Sequence, residues 1–389
     1  MDDGKHLTIA MIGTRGVPAA YGGFETAIEE TGRRLVERGH RVLVYSRGAA
    51  RREREYLGME LVHLPAVPVK QVETLSHTAL STVHACTRKG INAAFVFNAA
   101  NSPFLPLLRA RRIPTALHMD GLEWRRSKWG PRGRSYYRWA EQFGVRGADA
   151  LIADAPGIAD YYRHQFDVST EMIRYGAPLL DTADDDGVRE LGLAPNAYHL
   201  VVARFEPENH VREIVAGYAA SNARLPLAVV GSAPYSAAYT QQIQDIAASD
   251  PRIRLLGGVY DQQLLDALYF HAYTYLHGHS VGGTNPSLLR AMGASSAVIS
   301  YDVGFNRETS GGGWFFADSA GVTQALHDTE TNPQAVADAA QAARRRAATE
   351  FNWDTVAGQY EALAQRLAAG SSVHRSAHRA RRAVTEWSQ

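Results

Sequence analysis

The sequence predicts an α/β protein made of two consecutive domains, each a parallel, doubly wound sheet flanked by helices. Three observations carry this reading. A chain of 389 residues is long for a single core. Short apolar runs alternate with amphipathic helical stretches, the pattern of βαβ units with short connections. The alternation is interrupted at the turn-rich, acidic stretch Ala177 to Gly187 (APLLDTADDDG) and then restarts. The expected layout is therefore a domain over 1–176, a linker over 177–187, and a second domain over 188–350.

The first domain opens on Leu7 to Gly13 (LTIAMIG), which reads as a buried strand. The loop GTRGVPAAYGGFE follows, then a helix whose Phe24, Ile28, Thr31 and Leu35 fall at helical spacing. Strands are expected at Arg41 to Ser46, Leu61 to Leu64, Phe95 to Phe97, Thr115 to His118, Ala150 to Asp154 and Thr170 to Ile173. In the second domain they are expected at Tyr198 to Ala203, Leu227 to Gly231, Ile253 to Leu256, Ala272 to Leu276 and Ala297 to Ser300. Helices such as Val211 to Ser221 and Gln262 to Tyr269 connect them. Trp353 to Leu367 (WDTVAGQYEALAQRL) is an amphipathic helix within 351–369, and 370–389 reads as a mobile basic tail.

Bulk composition excludes several classes. Lys+Arg 41 against Asp+Glu 40 leaves a net charge of +1, so no global field favours nucleic acid. The single Cys86 rules out an internal disulfide and a cysteine zinc site. The opening MDDGKH and its short apolar run do not read as a signal peptide, and no run approaches the ~20 apolar residues of a membrane helix. A cytoplasmic protein is expected.

Ligands of open α/β sheets bind beyond the C-terminal strand ends, at topological switch points. The segment GHSVGGTNPSLLRAMG (Gly278 to Gly293) has the makings of an anion cradle there. Gly282-Gly283 leaves backbone N–H groups exposed, Asn285 is a good N-cap, and Pro286 suits the first helical position. An ordinary strand-to-helix turn would show the same signals.

The loop Gly13 to Gly23 does not fit G-x-G-x-x-G, and the second strand ends in Tyr45-Ser46-Arg47 without a ribose-binding acid, which disfavours a dinucleotide enzyme. Its Arg15, Gly16, Tyr21, Gly22 and Gly23 suit substrate binding at a strand end. His118, Asp120 and Glu123 follow another strand and are expected to project as acid/base or hydroxyl-binding groups. Asp154 ends a further strand, where helix N-capping is the competing role. Arg204 follows a strand as a potential diphosphate clamp, with Glu206 and Glu208 as hydroxyl acceptors. Asp184 to Asp186 lies in the linker and is assigned no metal. The basic-aromatic segment Arg125 to Trp139 (RRSKWGPRGRSYYRW) suits an anionic membrane surface better than nucleic acid.

The blocks GTRGVPAAYGGFET, HMDGLEWRRSKW, LIADAPGI, RYGAP, ARFEPEN and HGHSVGGTNPSLL resemble glycosyltransferase family 4 of the GT-B fold. More narrowly, they resemble bacterial rhamnosyltransferases that build cell-surface polysaccharides from dTDP-L-rhamnose. The resemblance implies two Rossmann-like domains facing across a cleft, with the C-terminal helix crossing back. It implies retaining, metal-independent transfer without a resident cofactor, from a nucleotide sugar to a glycan or lipid-linked acceptor at the inner membrane face. Arg204, Gly282, Gly283, Thr284 and Asn285 would bind the donor diphosphate, Val259-Tyr260 would lie against the base, and Glu206 or Glu208 would lie near the sugar. Asp120, Asp154 and Tyr175 would be cleft residues and His118 would contact substrate.

Three positions depart from the broader pattern. The family's glutamate pair falls here on Gly282 and Arg290, and its phosphate-binding lysine falls on Asn209. Gly282 and Asn209 agree with the rhamnosyltransferase-like group, whereas Arg290 does not. Arg290 is expected either to bridge the diphosphate or to weaken donor binding. The latter would fit a non-catalytic homologue; an epimerase on the same fold is a further alternative.

Overall fold

The computed structural model describes residues 6–19, 23–48, 53–69, 72–119, 121–126, 129–232 and 237–372. The chain divides into two compact units, Met1–Arg174 with Trp353–Gln389, and Tyr175–Asn352.

The first unit contains β1 (Thr8–Ile12), α1 (Gly23–Glu37), β2 (Arg41–Arg47), β3 (Glu55–Tyr56), β4 (Met59–Leu64), α2 (Glu73–Thr87), β5 (Ala93–Phe97) and α3 (Leu105–Ala110). It continues with β6 (Thr115–His118), α4 (Pro131–Gly147), β7 (Ala150–Ala153), α5 (Pro156–Phe166) and β8 (Glu171–Met172). Its sheet runs β3-β4-β2-β1-β5-β6-β7-β8, parallel except for β3 on the edge. Every residue of β5 is buried, as expected of a central parallel strand covered on both faces. Right-handed crossovers put α1 on one face and α2 to α5 on the other. Accordingly α2 packs on α3, and α3 on α4.

The second unit contains α6 (Asp186–Glu190), β9 (His199–Val202), α7 (Val211–Ala219), β10 (Leu227–Val230), α8 (Ala237–Ala248), β11 (Ile253–Gly257) and α9 (Gln262–Phe270). It continues with β12 (Thr274–His277), α10 (Pro286–Gly293), β13 (Ala297–Tyr301), α11 (Gly304–Ser310), β14 (Trp314–Phe316), α12 (Ser319–Thr331) and α13 (Pro333–Glu350). Its parallel sheet runs β11-β10-β9-β12-β13-β14. Two apolar clusters cover its faces, one around Val201, Val229 and Ile299, the other around Leu200, Ala228 and Tyr275.

The stretch 177–187 is bound to the second unit. The N–H of Ala177 donates to Phe351 (2.7 Å) and that of Leu180 to Gly293 (3.1 Å), while Arg344 donates to the Leu180 carbonyl (2.8 Å).

The last helix, α14 (Trp353–Ala368), returns to the first unit and packs on α1 and β5. Tyr360 meets Phe95 edge-on, with ring centroids 4.9 Å apart. Ion pairs fix the helix from outside: Arg34 to Asp354 (2.8 Å), Arg38 to Glu361 (2.7 Å) and Arg366 to Glu171 (2.7 Å). His40 joins them, accepting the Leu7 N–H on Nδ1 (3.1 Å) and meeting Glu361 through Nε2 (2.9 Å).

Candidate functional site

In the second unit the winding direction reverses between β9 and β12, and the loops leaving these strands are stitched together. Ser280 donates its N–H (2.9 Å) and hydroxyl (3.0 Å) to the Glu208 carbonyl. The Asn209 carboxamide donates to the Arg204 carbonyl (2.8 Å) and accepts from His279 Nδ1 (2.7 Å). His210 donates from Nδ1 to the Gly278 carbonyl (2.8 Å) and stacks on Tyr301 at 3.8 Å. From α11, Asn306 donates to the His279 carbonyl (2.8 Å). Gly278 permits this approach, because a Cβ there would collide with the Asn209 carbonyl.

The helix start beyond these loops is capped as its sequence predicts. Asn285 has extended backbone angles and accepts from the Ser287 N–H (2.9 Å) and hydroxyl (2.7 Å), with Pro286 in the first turn. The Tyr275 hydroxyl lies 3.1 Å from Ser287 Oγ and 3.3 Å from His277 Nδ1, tying the cap to β12. His277 is buried, and that burial lowers its pKa to about 3, so it is neutral. Gly282 has φ +136°, and no hydrogen bond from the N–H of Gly282 or Gly283 occurs among the described residues. The Arg204 guanidinium, 41% exposed, lies 3.5 Å from Glu206. Two free N–H groups, a helix start and an accessible guanidinium thus share one edge of the sheet, an arrangement suited to a diphosphate.

Asn209 and Glu208 are buried at this edge. Both sides of the Asn209 carboxamide engage the protein, so it positions Arg204 and His279 instead of offering a free donor. Thr284 is buried beside the cap, whereas Tyr260, beyond β11, is 82% exposed. Val259, its neighbour, packs partly against the core. Arg290 points elsewhere: its Nη1 is 2.9 Å from Asp266 on α9, and both side chains are largely covered. The expectation of a diphosphate contact gives way to this pairing, since burial of Asp266 requires a counter-charge. Sequence reasoning missed His279, Ser287, Asn306 and Asp266. For the last two no local signal exists, because they come from other helices.

In the first unit the reversal lies between β1 and β5. Gly13 has φ +107° with no room for a Cβ beside the Phe97 carbonyl, and Asn101 donates to that carbonyl (2.7 Å) and to Gly13 (3.3 Å). Gly16, at φ +91°, lies directly against Ser46. Carboxylates of α1 reach back to the loop: Glu25 accepts from the Arg15 N–H (3.1 Å) and Glu29 from the Ala19 N–H (2.7 Å). The Arg15 side chain is exposed, and Gly23 starts α1. Tyr21, Gly22 and Asp120 lie outside the described residues.

His118 does not project from its strand end. It is 2% exposed, stacked on Phe97 (5.7 Å) and met edge-on by Phe24 (5.0 Å), because the pleat aims it at the first turn of α1. Burial lowers its pKa to about 3, leaving a neutral imidazole. Glu123 is likewise turned inward, bonded to Arg126 (2.5 Å) and to Trp129 Nε1 (3.2 Å). Asp154 is buried beside Tyr360, whose phenol is pushed up by burial and then by the Asp154 charge. Tyr175 is buried in the second unit. The exposed trio Asp184 to Asp186 brings its carboxylates within 4.8 Å of one another, but Asp185 pairs with Arg189 (2.6 Å) and Asp184 accepts the Asp186 N–H (2.9 Å).

The family described as "Domain of unknown function (DUF1972)" matches residues 6–178. No curated protein matches the sequence. Among solved structures, a sucrose-phosphate synthase from Thermosynechococcus elongatus superposes with a TM-score of 0.81 at 19% identity, covering 94% of this chain and 100% of that one. The fold is GT-B. Anabaena HepE in complex with UDP-glucose (TM-score 0.75, 17% identity, 92% and 100% coverage) has the same architecture. So does an alpha,alpha-trehalose-phosphate synthase (UDP-forming) from Burkholderia vietnamiensis (0.68, 11%, 92% and 99%). No helix is long and apolar enough to cross a membrane, among the described residues.

Proposed function

We propose that the protein is a glycosyltransferase that moves a sugar from a nucleoside-diphosphate sugar to a hydroxyl of a glycan acceptor. The observation that carries this is the joined edge of β9 and β12, where Arg204, the Gly282-Gly283 backbone and the capped start of α10 converge. The GT-B neighbours support it, since HepE was solved with UDP-glucose and the trehalose-phosphate synthase is described as UDP-forming.

In this reading the bond from the anomeric carbon to the diphosphate breaks as the acceptor oxygen attacks. Arg204 and the N-terminal dipole of α10 stabilise the charge developing on the departing diphosphate. The acceptor proton passes to the departing phosphate oxygen, and attack on the same face retains configuration. The neutral, buried His118 fixes local geometry and is not a proton acceptor at neutral pH. Tyr260 offers an exposed ring for the base, and the loop after β1 takes the acceptor.

The donor assigned is dTDP-L-rhamnose and the acceptor a lipid-linked glycan of cell-surface polysaccharide synthesis, resting on the six sequence blocks that resemble rhamnosyltransferases. Pairing of Arg290 with Asp266 neutralises the charge that would have suggested an impaired enzyme. The test is a thermal-shift and turnover screen of dTDP-rhamnose, UDP-glucose and other sugar nucleotides with the purified chain. The reading expects a stabilising shift selective for dTDP-rhamnose, and dTDP release only when acceptor is present. It fails if no sugar nucleotide binds or turns over; selective UDP-glucose use would replace the donor alone.

A further inference from the structure

His279 is buried three residues before Gly282, and its surroundings fix which ring nitrogen carries the proton. The Asn209 carboxamide turns its amide hydrogens to the Arg204 carbonyl (2.8 Å), which can only accept. That leaves Asn209 Oδ1 facing His279 Nδ1 (2.7 Å), so Nδ1 carries the hydrogen and donates it. The residue is held from other sides as well: its carbonyl accepts from Asn306 (2.8 Å), and the rings of His277 and Phe305 lie 6.0 and 6.1 Å away. Nε2 is thereby aimed at Gly282, where a Cβ would stand 3.2 Å from it. No other atom among the described residues, outside that ring, comes within 4 Å of the same Cβ position. Gly282 also takes φ +136°, which L side chains rarely adopt, so the imidazole edge borders the backbone of the anion cradle directly.

With the Nδ1 hydrogen committed to Asn209, the neutral ring can only accept at Nε2, and a lone pair there would face an anion. A second proton turns the same edge into a charged donor, the stronger kind of hydrogen bond to a phosphate oxygen. A free imidazole titrates at about 6.5, and a diphosphate within hydrogen-bond reach favours its charged form. The neighbouring elements bring other ionisable groups. From the loop after β9 come Arg204 and Glu206, 3.5 Å apart, the buried Glu208, and His210, which spends Nδ1 on the Gly278 carbonyl. His277 on β12 is neutral through burial, the Asp302 carboxylate after β13 pairs with Arg307 of α11 (2.5 Å), and Tyr301 stacks on His210. On α10 the charge is Arg290, paired with Asp266. Of these groups, His279 is the one whose ring nitrogen faces Gly282.

We infer that His279 is a donor-site residue whose Nε2 takes up one proton from solvent as a sugar nucleotide binds and donates it, in a hydrogen bond, to a diphosphate oxygen lying over Gly282. Asn209 is then a positioning residue, because its Oδ1 keeps the Nδ1 hydrogen in place and the opposite edge of the ring turned to the ligand. The new proton stays on the ring while the sugar is transferred, since the departing phosphate oxygen receives the proton of the acceptor hydroxyl. His279 thus offsets diphosphate charge beside Arg204 without entering the proton balance of the reaction. This deepens the proposed transferase reading and rests on it.

The test is titration calorimetry of the full chain with dTDP-L-rhamnose and with UDP-glucose at about pH 7.5, in Pipes, Hepes and Tris, whose different heats of ionisation report the protons exchanged. The diphosphate of a sugar nucleotide is esterified at both ends and does not titrate in this range, so any uptake belongs to the protein. The expected result is uptake of about half a proton or more per ligand bound, with a Kd that falls several-fold from about pH 8.5 to 6.5, because the bound ring holds its proton to higher pH than the free one. His279→Asn keeps a donor at the place of Nδ1 and removes Nε2. It should bind about ten-fold more weakly, with no uptake and a flat pH profile, while circular dichroism shows the parent's fold. A residue that only braced Asn209 would move none of these readouts in that variant. The assignment is overturned if the parent binds a sugar nucleotide without taking up a proton, a result that needs no variant. It is also overturned if His279→Asn keeps the parent's uptake and affinity, which would move the proton to another group such as His210. If neither sugar nucleotide binds the parent, the transferase reading falls and this assignment with it.

Discussion

The two units place a ligand edge at the same topological position and build it differently. In the second unit, side chains of His210, Ser280 and Asn306 donate into backbone carbonyls of a neighbouring loop, and the Asn209 carboxamide accepts from His279 across the gap, so the loops position each other. In the first, two carboxylates of the following helix, Glu25 and Glu29, accept backbone N–H groups of the loop after β1, and Asn101, Ser46 and the Arg47 N–H hold it from neighbouring segments. A diphosphate has one shape and repays a rigid cradle. A glycan acceptor is recognised through many hydroxyls, and the loop proposed to take it is held through its backbone N–H and carbonyl groups, which leaves the exposed Arg15 side chain outward.

The largest expected effect comes from breaking the stitching. Gly278→Ala forces a methyl into the Asn209 carbonyl and should cost about 3 kcal/mol of stability, abolishing the donor thermal shift, as read by denaturant titration and thermal shift. Next, Arg204→Ala should leave stability nearly unchanged, because the side chain is accessible, while weakening sugar-nucleotide affinity about 100-fold by titration calorimetry. Equal loss of stability and affinity would mean that Arg204 is structural.

Acid should affect both units. Burial lowers His118 in the first and His277 in the second to about 3, against 6.5 for the free side chain. Between those values the unfolded chain binds protons that the folded chain refuses. Stability is therefore full above about pH 6.5 and falls as pH drops, by up to about 1.4 kcal/mol per pH unit for each histidine. His118→Gln and His277→Gln should each flatten urea midpoints measured between pH 7.5 and 5, one unit at a time.

The smallest effect is expected at Arg290. Arg290→Glu places two carboxylates face to face across the α9–α10 contact and should lower stability by about 1 kcal/mol, with Asp266→Lys restoring it in the double variant. A gain in donor affinity from Arg290→Glu alone would instead reinstate it as a donor-site residue.

What the sequence disclosed follows from the range of the forces involved. Buried parallel strands such as Ala93–Phe97 and Leu227–Val230 are uninterrupted apolar runs, and the Asn285-Pro286 start of α10 is encoded in adjacent residues. The strands Glu55–Tyr56 and Trp314–Phe316 are too short to carry a period and exist through their neighbours. The burial of Ser81 on the inner face of α2 could not be read, because Ser suits either face when its hydroxyl can bond locally, here to the His77 carbonyl (2.7 Å). The pairing of Arg290 is equally illegible locally: its partner Asp266 lies 24 residues away, on another helix.

The return of α14 to the first unit also sets an order in time. Its Tyr360, Leu363 and Leu367 are buried, and Tyr360 covers Phe95, so a core begun by β1 is completed by residues made some 350 positions later. The second unit, by contrast, is contiguous from Tyr175 to Asn352 and holds all its own strands when Asn352 is added. During synthesis the first unit thus waits, with one face of its sheet open, while the second has everything it needs to fold. The unit that starts first is finished last, and a chain stopped before Trp353 would leave Phe95 without its cover.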